Sequence, residues 1–184
     1  MYGMILCLMM KILERNERKM FISKKTYLLW LDNKDKPALN RMMIETFPFL
    51  MPHNRWTDAT PENFNYSYNE MNMMPYGWAN AFGYEMLCEI RDELVRIDCL
   101  NTYRIMDIKE KYGTLHWYDN GSNQELFSII KKYISLSASV CQVCGKPATH
   151  MTQGWIGYFC RKCGKKLGAI KIPKDWWEQP DDED

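Results

Sequence analysis

Two tight cysteine pairs constrain this chain more than anything else in it. Cys141 and Cys144 form one C-x2-C, Cys160 and Cys163 form a second, and fifteen residues lie between the pairs. Two residues between thiolates let each pair turn around one ion, and a tetrahedral zinc site takes four such ligands at about 2.3 Å. The spacing predicts a zinc ribbon over residues 141–174 holding one structural Zn2+. Gly145 and Gly164 follow the second cysteine of each pair, where a tight knuckle gains from a residue that tolerates positive φ. Four cysteines close the tetrahedron and leave no position for water, the mark of a structural rather than a catalytic site. About thirty residues cannot bury enough apolar surface alone, so the metal is expected to supply the folding free energy of this segment. A redox C-x-x-C belongs beside a βαβ pattern, which is missing, and iron–sulfur clusters use other spacings. His150 is the alternative ligand inside the segment. Seven cysteines are an odd number, which argues against a fully paired disulfide framework and makes the cytosol the expected compartment.

The rest of the 184 residues make room for one domain with an appendage, or two small ones. Hydrophobic residues at 46% and charged residues at 26% exclude a wholly disordered chain. Met1 to Met10 is almost wholly apolar, but ten helical residues span about 15 Å against a bilayer core of about 30 Å. Its charges follow it instead of preceding it, unlike a secretory signal. An upstream start, an edge element on the core and a peripheral anchor all fit it.

Punctuation divides the chain into an N-terminal element with a short helix (1–47), a body (48–140), the ribbon (141–174) and an acidic tail (175–184). Phe21 to Leu31 reads as ending in a short strand. Pro37 opens a helix with Leu39, Met42, Met43 and Phe47 at helical spacing, which Pro48 closes. Pro48, Pro52, Pro61 and Pro75 then forbid a long helix, leaving an aromatic loop over 48–75. Its rings Trp56, Phe64, Tyr66 and Tyr68 either pin it to the core or form a recognition surface, for which Trp56, Tyr66 and Tyr68 are the candidates. Ala79, Phe82, Met86, Ile90, Leu94 and Ile97 mark an amphipathic helix. Tyr103–Lys109 and Thr114–Tyr118 read as an antiparallel hairpin, and Ser122 with Glu125 as the capping box of a last helix through Ile134. The expected fold is α+β, with helices packed on a small antiparallel sheet and a C-terminal four-cysteine zinc ribbon.

The net charge of +1 offers no whole-molecule field for DNA or membrane, but charge is uneven locally. From Cys141 to Lys174 there are seven Lys or Arg and no acid, and four thiolates with one divalent ion subtract two, leaving +5. Six acids follow within the last ten residues. Arg161, Lys162, Lys165 and Lys166 beside Trp155 could touch phosphates and stack on bases, or form a solvated face that the tail neutralises. Three histidines and no G-x-S-x-G, H-E-x-x-H or phosphate loop leave little for catalysis. Glu85 and Glu89 share a helix face, where such pairs are expected to be solvated. The readings in order are a non-enzymatic binding protein, a nucleic-acid-binding accessory or regulatory protein, and a small metal-dependent hydrolase.

Gly77-Trp78 through Phe82-Gly83, Ile108 to Gly113 (IKEKYG) with Leu115 and Trp117-Tyr118, Cys141-x-x-Cys144-Gly145-x-Pro147, Gly154-Trp155 and Cys160 together carry a resemblance. In residues 48–163 the chain resembles small uncharacterised proteins of bacteria, their phages and prophages. It departs from them at His116, where Arg is commoner, and at Met1 to Met20, which the relatives lack. The resemblance carries no activity. It implies a phage or mobile-element origin and a partner in the host cytosol, a host protein or protein–nucleic acid complex. By analogy the expected role is inhibition of a bacterial defence complex such as a CRISPR effector.

Overall fold

The computed structural model describes residues 21–54, 56–121, 123–174 and Trp176. The expectations for Met1 to Met20, for Ser122 as a cap and for most of the acidic tail lie outside the described residues. The described residues divide into two compact units, one ending at Asn69 and one beginning at Glu70.

In the first unit, α1 (Lys24–Leu31) stands where the sequence pointed to a strand. Helix wins because Ser23 caps it, its hydroxyl accepting from the Thr26 N–H at 3.1 Å. Tyr27, Trp30 and Leu31 also recur at helical spacing and are all buried. Helix α2 (Pro37–Thr46) has proline in its first turn and stops before Pro48, as its punctuation requires. Met43 and Phe47 are buried as the spacing requires, but Met42 is exposed and Asn40 is buried. The Asn40 side chain explains the exchange. Its Oδ1 accepts from Trp30 Nε1 and from Asn69 Nδ2, both at 2.8 Å, and its Nδ2 donates to the Lys34 carbonyl at 2.9 Å. One buried amide thus ties α1, α2 and the end of the long loop together. Among the described residues between the short 3-10 turn Pro48–Leu50 and Asn69 the loop has no regular element.

In the second unit a 3-10 turn (Glu70–Met73) leads into a continuous helical run. It comprises α3 (Tyr76–Trp78), a π-helical segment (Ala79–Gly83) and α4 (Tyr84–Arg96). Trp78, Phe82, Met86, Leu87, Ile90 and Leu94 form its buried stripe. Strands β1 (Ile105–Lys111) and β2 (Thr114–Asp119) pair antiparallel, with Lys109 opposite His116 and a bulge between Ile105 and Asp107. Their turn is only Tyr112-Gly113, both at positive φ (52° and 82°), as a tight two-residue hairpin requires. Helix α5 (Gln124–Ser137) is capped by Asn123, whose side chain accepts from Leu126 N at 2.7 Å. It packs on the helical run and on β2: Tyr133 stacks on Phe82 of the π-helical segment and donates to Glu89 of α4 at 2.8 Å, and Ser137 accepts the Leu115 N–H at 2.8 Å. Glu89, also paired with Lys132, therefore bridges two helices while its side chain stays 41% exposed.

The last segment is a three-stranded antiparallel sheet in the order β4 (Tyr158–Phe159), β3 (His150–Met151), β5 (Ile170–Lys171), with the short helix α6 (Arg161–Lys165) between β4 and β5. The fold is α+β, as expected, and ends in a four-cysteine ribbon. No helix among the described residues is long and apolar enough to cross a membrane.

Candidate metal centre

The ribbon's first knuckle is built from backbone. Val140 bridges to Pro147, Cys141 N donates to the Lys146 carbonyl at 2.8 Å, and Gly145 N donates to the Cys141 carbonyl at 2.9 Å. Gly145 has φ 76°, the left-handed conformation a side chain resists. The second knuckle differs from expectation. Gly164 lies within α6 and not at positive φ; a Cβ there would approach Ala169, His150 and Phe159 at 3.0–3.3 Å. Glycine serves close packing at this position, because the helix must lie against the small sheet.

These two turns bring the four sulfurs of Cys141, Cys144, Cys160 and Cys163 within 4.8 Å of one another. Cys144 Sγ and Cys160 Sγ are 3.6 Å apart, too far for a disulfide and close to the roughly 3.8 Å edge of a tetrahedron with 2.3 Å bonds. The donor set is all sulfur and could hold one metal ion. Cys141 and Cys160 are buried with Phe159, and Ala169 packs beside them. Cys163 N donates to Cys160 Sγ at 3.5 Å, and this backbone donor, foremost, pulls the Cys160 thiol down to about 7. Burial pushes Cys163 up to about 12. A bound cation would displace the remaining protons, so loading releases them. His150 lies outside the sulfur set, its Nδ1 at 2.8 Å from Thr149 Oγ1.

Gly77, which the sequence showed only as half of the Gly77-Trp78 pair, lies against the backbone of the first knuckle. Its N–H donates to the Gln142 carbonyl at 2.9 Å, and a Cβ on it would overlap the Cys141 carbonyl. Trp78 Nε1 donates to the Val140 carbonyl at 3.1 Å. The helical run therefore seats the first knuckle, and the Gly77-Trp78 pair was the one sequence signal for this. At the other end of the ribbon the hairpin tip abuts it: a Cβ on Gly113 would meet the Tyr158 ring at 2.7 Å.

The candidate contact residues fall into separate groups. Arg161, Lys162, Lys165 and Lys166 are exposed on and just after α6, and Trp155 is 78% exposed. In the other unit Trp56 is 89% exposed and does not pin the loop. Tyr66 is half-buried with Arg41 over its ring at 4.5 Å, and Tyr68 is exposed, with Phe64 edge-on at 5.5 Å. No protein-family model, curated protein or solved structure matches the chain.

Proposed function

We propose that the chain is a non-enzymatic binding protein of the phage or mobile-element type, held at its C-terminal end by one structural zinc ion, that engages a host macromolecule. The closed set of four sulfurs carries this reading. Soft thiolates favour zinc over magnesium or calcium, and four of them leave no coordination position for a reacting water. Exposed cations and the exposed Trp155 on the ribbon supply contact surface. The hairpin and the Gly77-Trp78 segment, which bear the phage-protein resemblance, both touch the ribbon, as Gly113 and Gly77 show. A host defence complex in the bacterial cytosol is the partner class that this origin favours. The hydrolase reading needs a second, open metal site. Among the described residues no other group of three or more metal-ligating side chains lies close enough to form one.

The test is affinity capture from phage-infected bacterial lysate by the zinc-loaded chain, with and without nuclease. A specific host component retained by the loaded chain and lost from the Cys144→Ser variant is expected. Equal retention by both forms would sink the reading.

A further inference from the structure

Side chains along the hairpin alternate between two faces. Ile108, Leu115 and Trp117 enter the core, so Asp107, Lys109, Lys111, Thr114, His116 and Tyr118 share the opposite face. Lys109, Lys111 and Tyr118 are exposed there, and His116 is half-exposed. The Tyr118 ring lies nearly parallel to the His116 imidazole, at 25° and 6.2 Å, with Lys109 Nζ at 4.9 Å from its centroid. Asp107 is the one acid on this face and is held by Lys109 Nζ at 2.6 Å. At the turn, Lys111 Nζ lies 5.1 Å from the centroid of Tyr112, a ring 64% exposed.

The hairpin needs none of these rings to fold, because its core face already carries Ile108, Leu115 and Trp117. The turn also leads directly onto the ribbon, where Gly113 meets Tyr158 and Ile156, the latter next to Trp155. Tyr112 and Trp155, the two most exposed aromatic rings described in this unit, thus sit on segments that touch. No cation of the ribbon has a carboxylate within ion-pair distance among the described residues.

We propose that this face, running from Tyr118 through the turn to Trp155, binds single-stranded nucleic acid. Bases stack on Tyr118, Tyr112 and Trp155, and phosphates meet Lys109, Lys111 and the ribbon's cations. The inference rests on the reading of the chain as a binding protein and names its partner chemistry. Exposed rings with lysines between them form a stacking platform, since every base offers a π-face and every linkage a charge. A duplex keeps its base faces covered, so unpaired strands are selected. Lysine is depleted from the centres of protein interfaces, which speaks against a protein at this face.

The test is fluorescence anisotropy of a labelled twelve-nucleotide oligothymidine with the full chain, alongside zinc analysis and a melting curve on each preparation. Tyr118→Ala is expected to weaken binding about 5- to 150-fold, the range for loss of one stacked base. Tyr118→Phe should bind like the parent, since it keeps the ring, and K109A/K111A should weaken binding and flatten its salt dependence. A folded, zinc-loaded chain that does not bind at low salt overturns the proposal. So does equal affinity for a duplex, or an affinity that Tyr118→Ala leaves unchanged. A chain without zinc that binds with the same dependence on Tyr118 supports the hairpin face while removing the zinc reading. Selective binding of a host protein through Tyr118 in place of the oligonucleotide also counts against it.

Discussion

In the body of the second unit, Trp78, Phe82, Met86, Ile90 and Leu94 close on Leu126, Ile130 and Tyr133; in the ribbon the buried cluster around the sulfurs is Phe159 with Cys141 and Cys160. The body buries large apolar side chains, and each Å² removed from water contributes about 25 cal/mol. The ribbon places its burial around four sulfurs that lie within 4.8 Å of one another. The larger part of the unit is therefore ordered by transfer of side chains from water, whereas the ribbon gathers four sulfurs that could hold one metal ion. The seams, Gly77 on Cys141 and Gly113 on Tyr158, are where the two parts meet.

The largest expected effect breaks the ribbon alone. Structural zinc supplies on the order of 10 kcal/mol in small metal-folded segments. Cys144→Ser should take the zinc content from one ion per chain to near none and remove hydrogen-exchange protection from β3, β4 and β5. The helical circular-dichroism signal should stay mostly intact. Loss of that signal along with the ion would show that body and ribbon fold as one.

Next comes the seam. A methyl at Gly77 has no space against the Cys141 carbonyl, and overpacking of this kind costs about 1–3 kcal/mol. Gly77→Ala should lower the melting temperature by about 2–4 °C for each kcal/mol in a chain of this size. It should also speed zinc loss to a chelator. Parent-like values for both would mean that the knuckle does not lean on the helix.

Acid separates the two regions by a different route. Hydrogen bonds from Arg96, and then from Asn123, hold the Glu93 carboxyl down to about 2, below the ordinary value of about 4.3. A folded-state value below the unfolded one contributes stability above about pH 4.3, and this is lost as pH falls from there toward 2. Glu93→Gln should therefore flatten the pH dependence of helix melting in that window. Zinc release, which follows protonation of the thiolates, should keep its own profile. An unaltered slope in the variant would show that this carboxyl is not linked to folding.

The smallest effect is expected in the first unit. Trp56→Ala should change stability by no more than about 0.5 kcal/mol, as surface substitutions do. Phe64→Ala gives up ring contacts with Tyr66 at 5.1 Å and Tyr68 at 5.5 Å, each worth about 0.5–1.5 kcal/mol. Urea titrations of the two variants make the comparison. A larger loss for Trp56 would mean that this exposed ring is covered in solution.

The sequence alone determined what depends on near neighbours and on residue chemistry. Paired cysteine spacing specified the sulfur set, apolar periodicity specified α4 and α5, and the order of elements specified an α+β class, because turn reach and side-chain period are local properties. It read a strand where α1 lies, because Ser23 capping outweighs an aromatic-rich string, and it counted Met42 in the stripe and left out Asn40, since a buried amide is read as polar until Trp30 and Asn69 supply its partners. Tertiary structure alone decided that Gly77 carries the first knuckle and that Gly164 serves packing instead of a left-handed turn. It also decided that Trp56 stands in water and that Tyr112 and Trp155 lie on touching segments. Each of these depends on which distant backbone arrives at the same place, and no period or spacing along one chain records that.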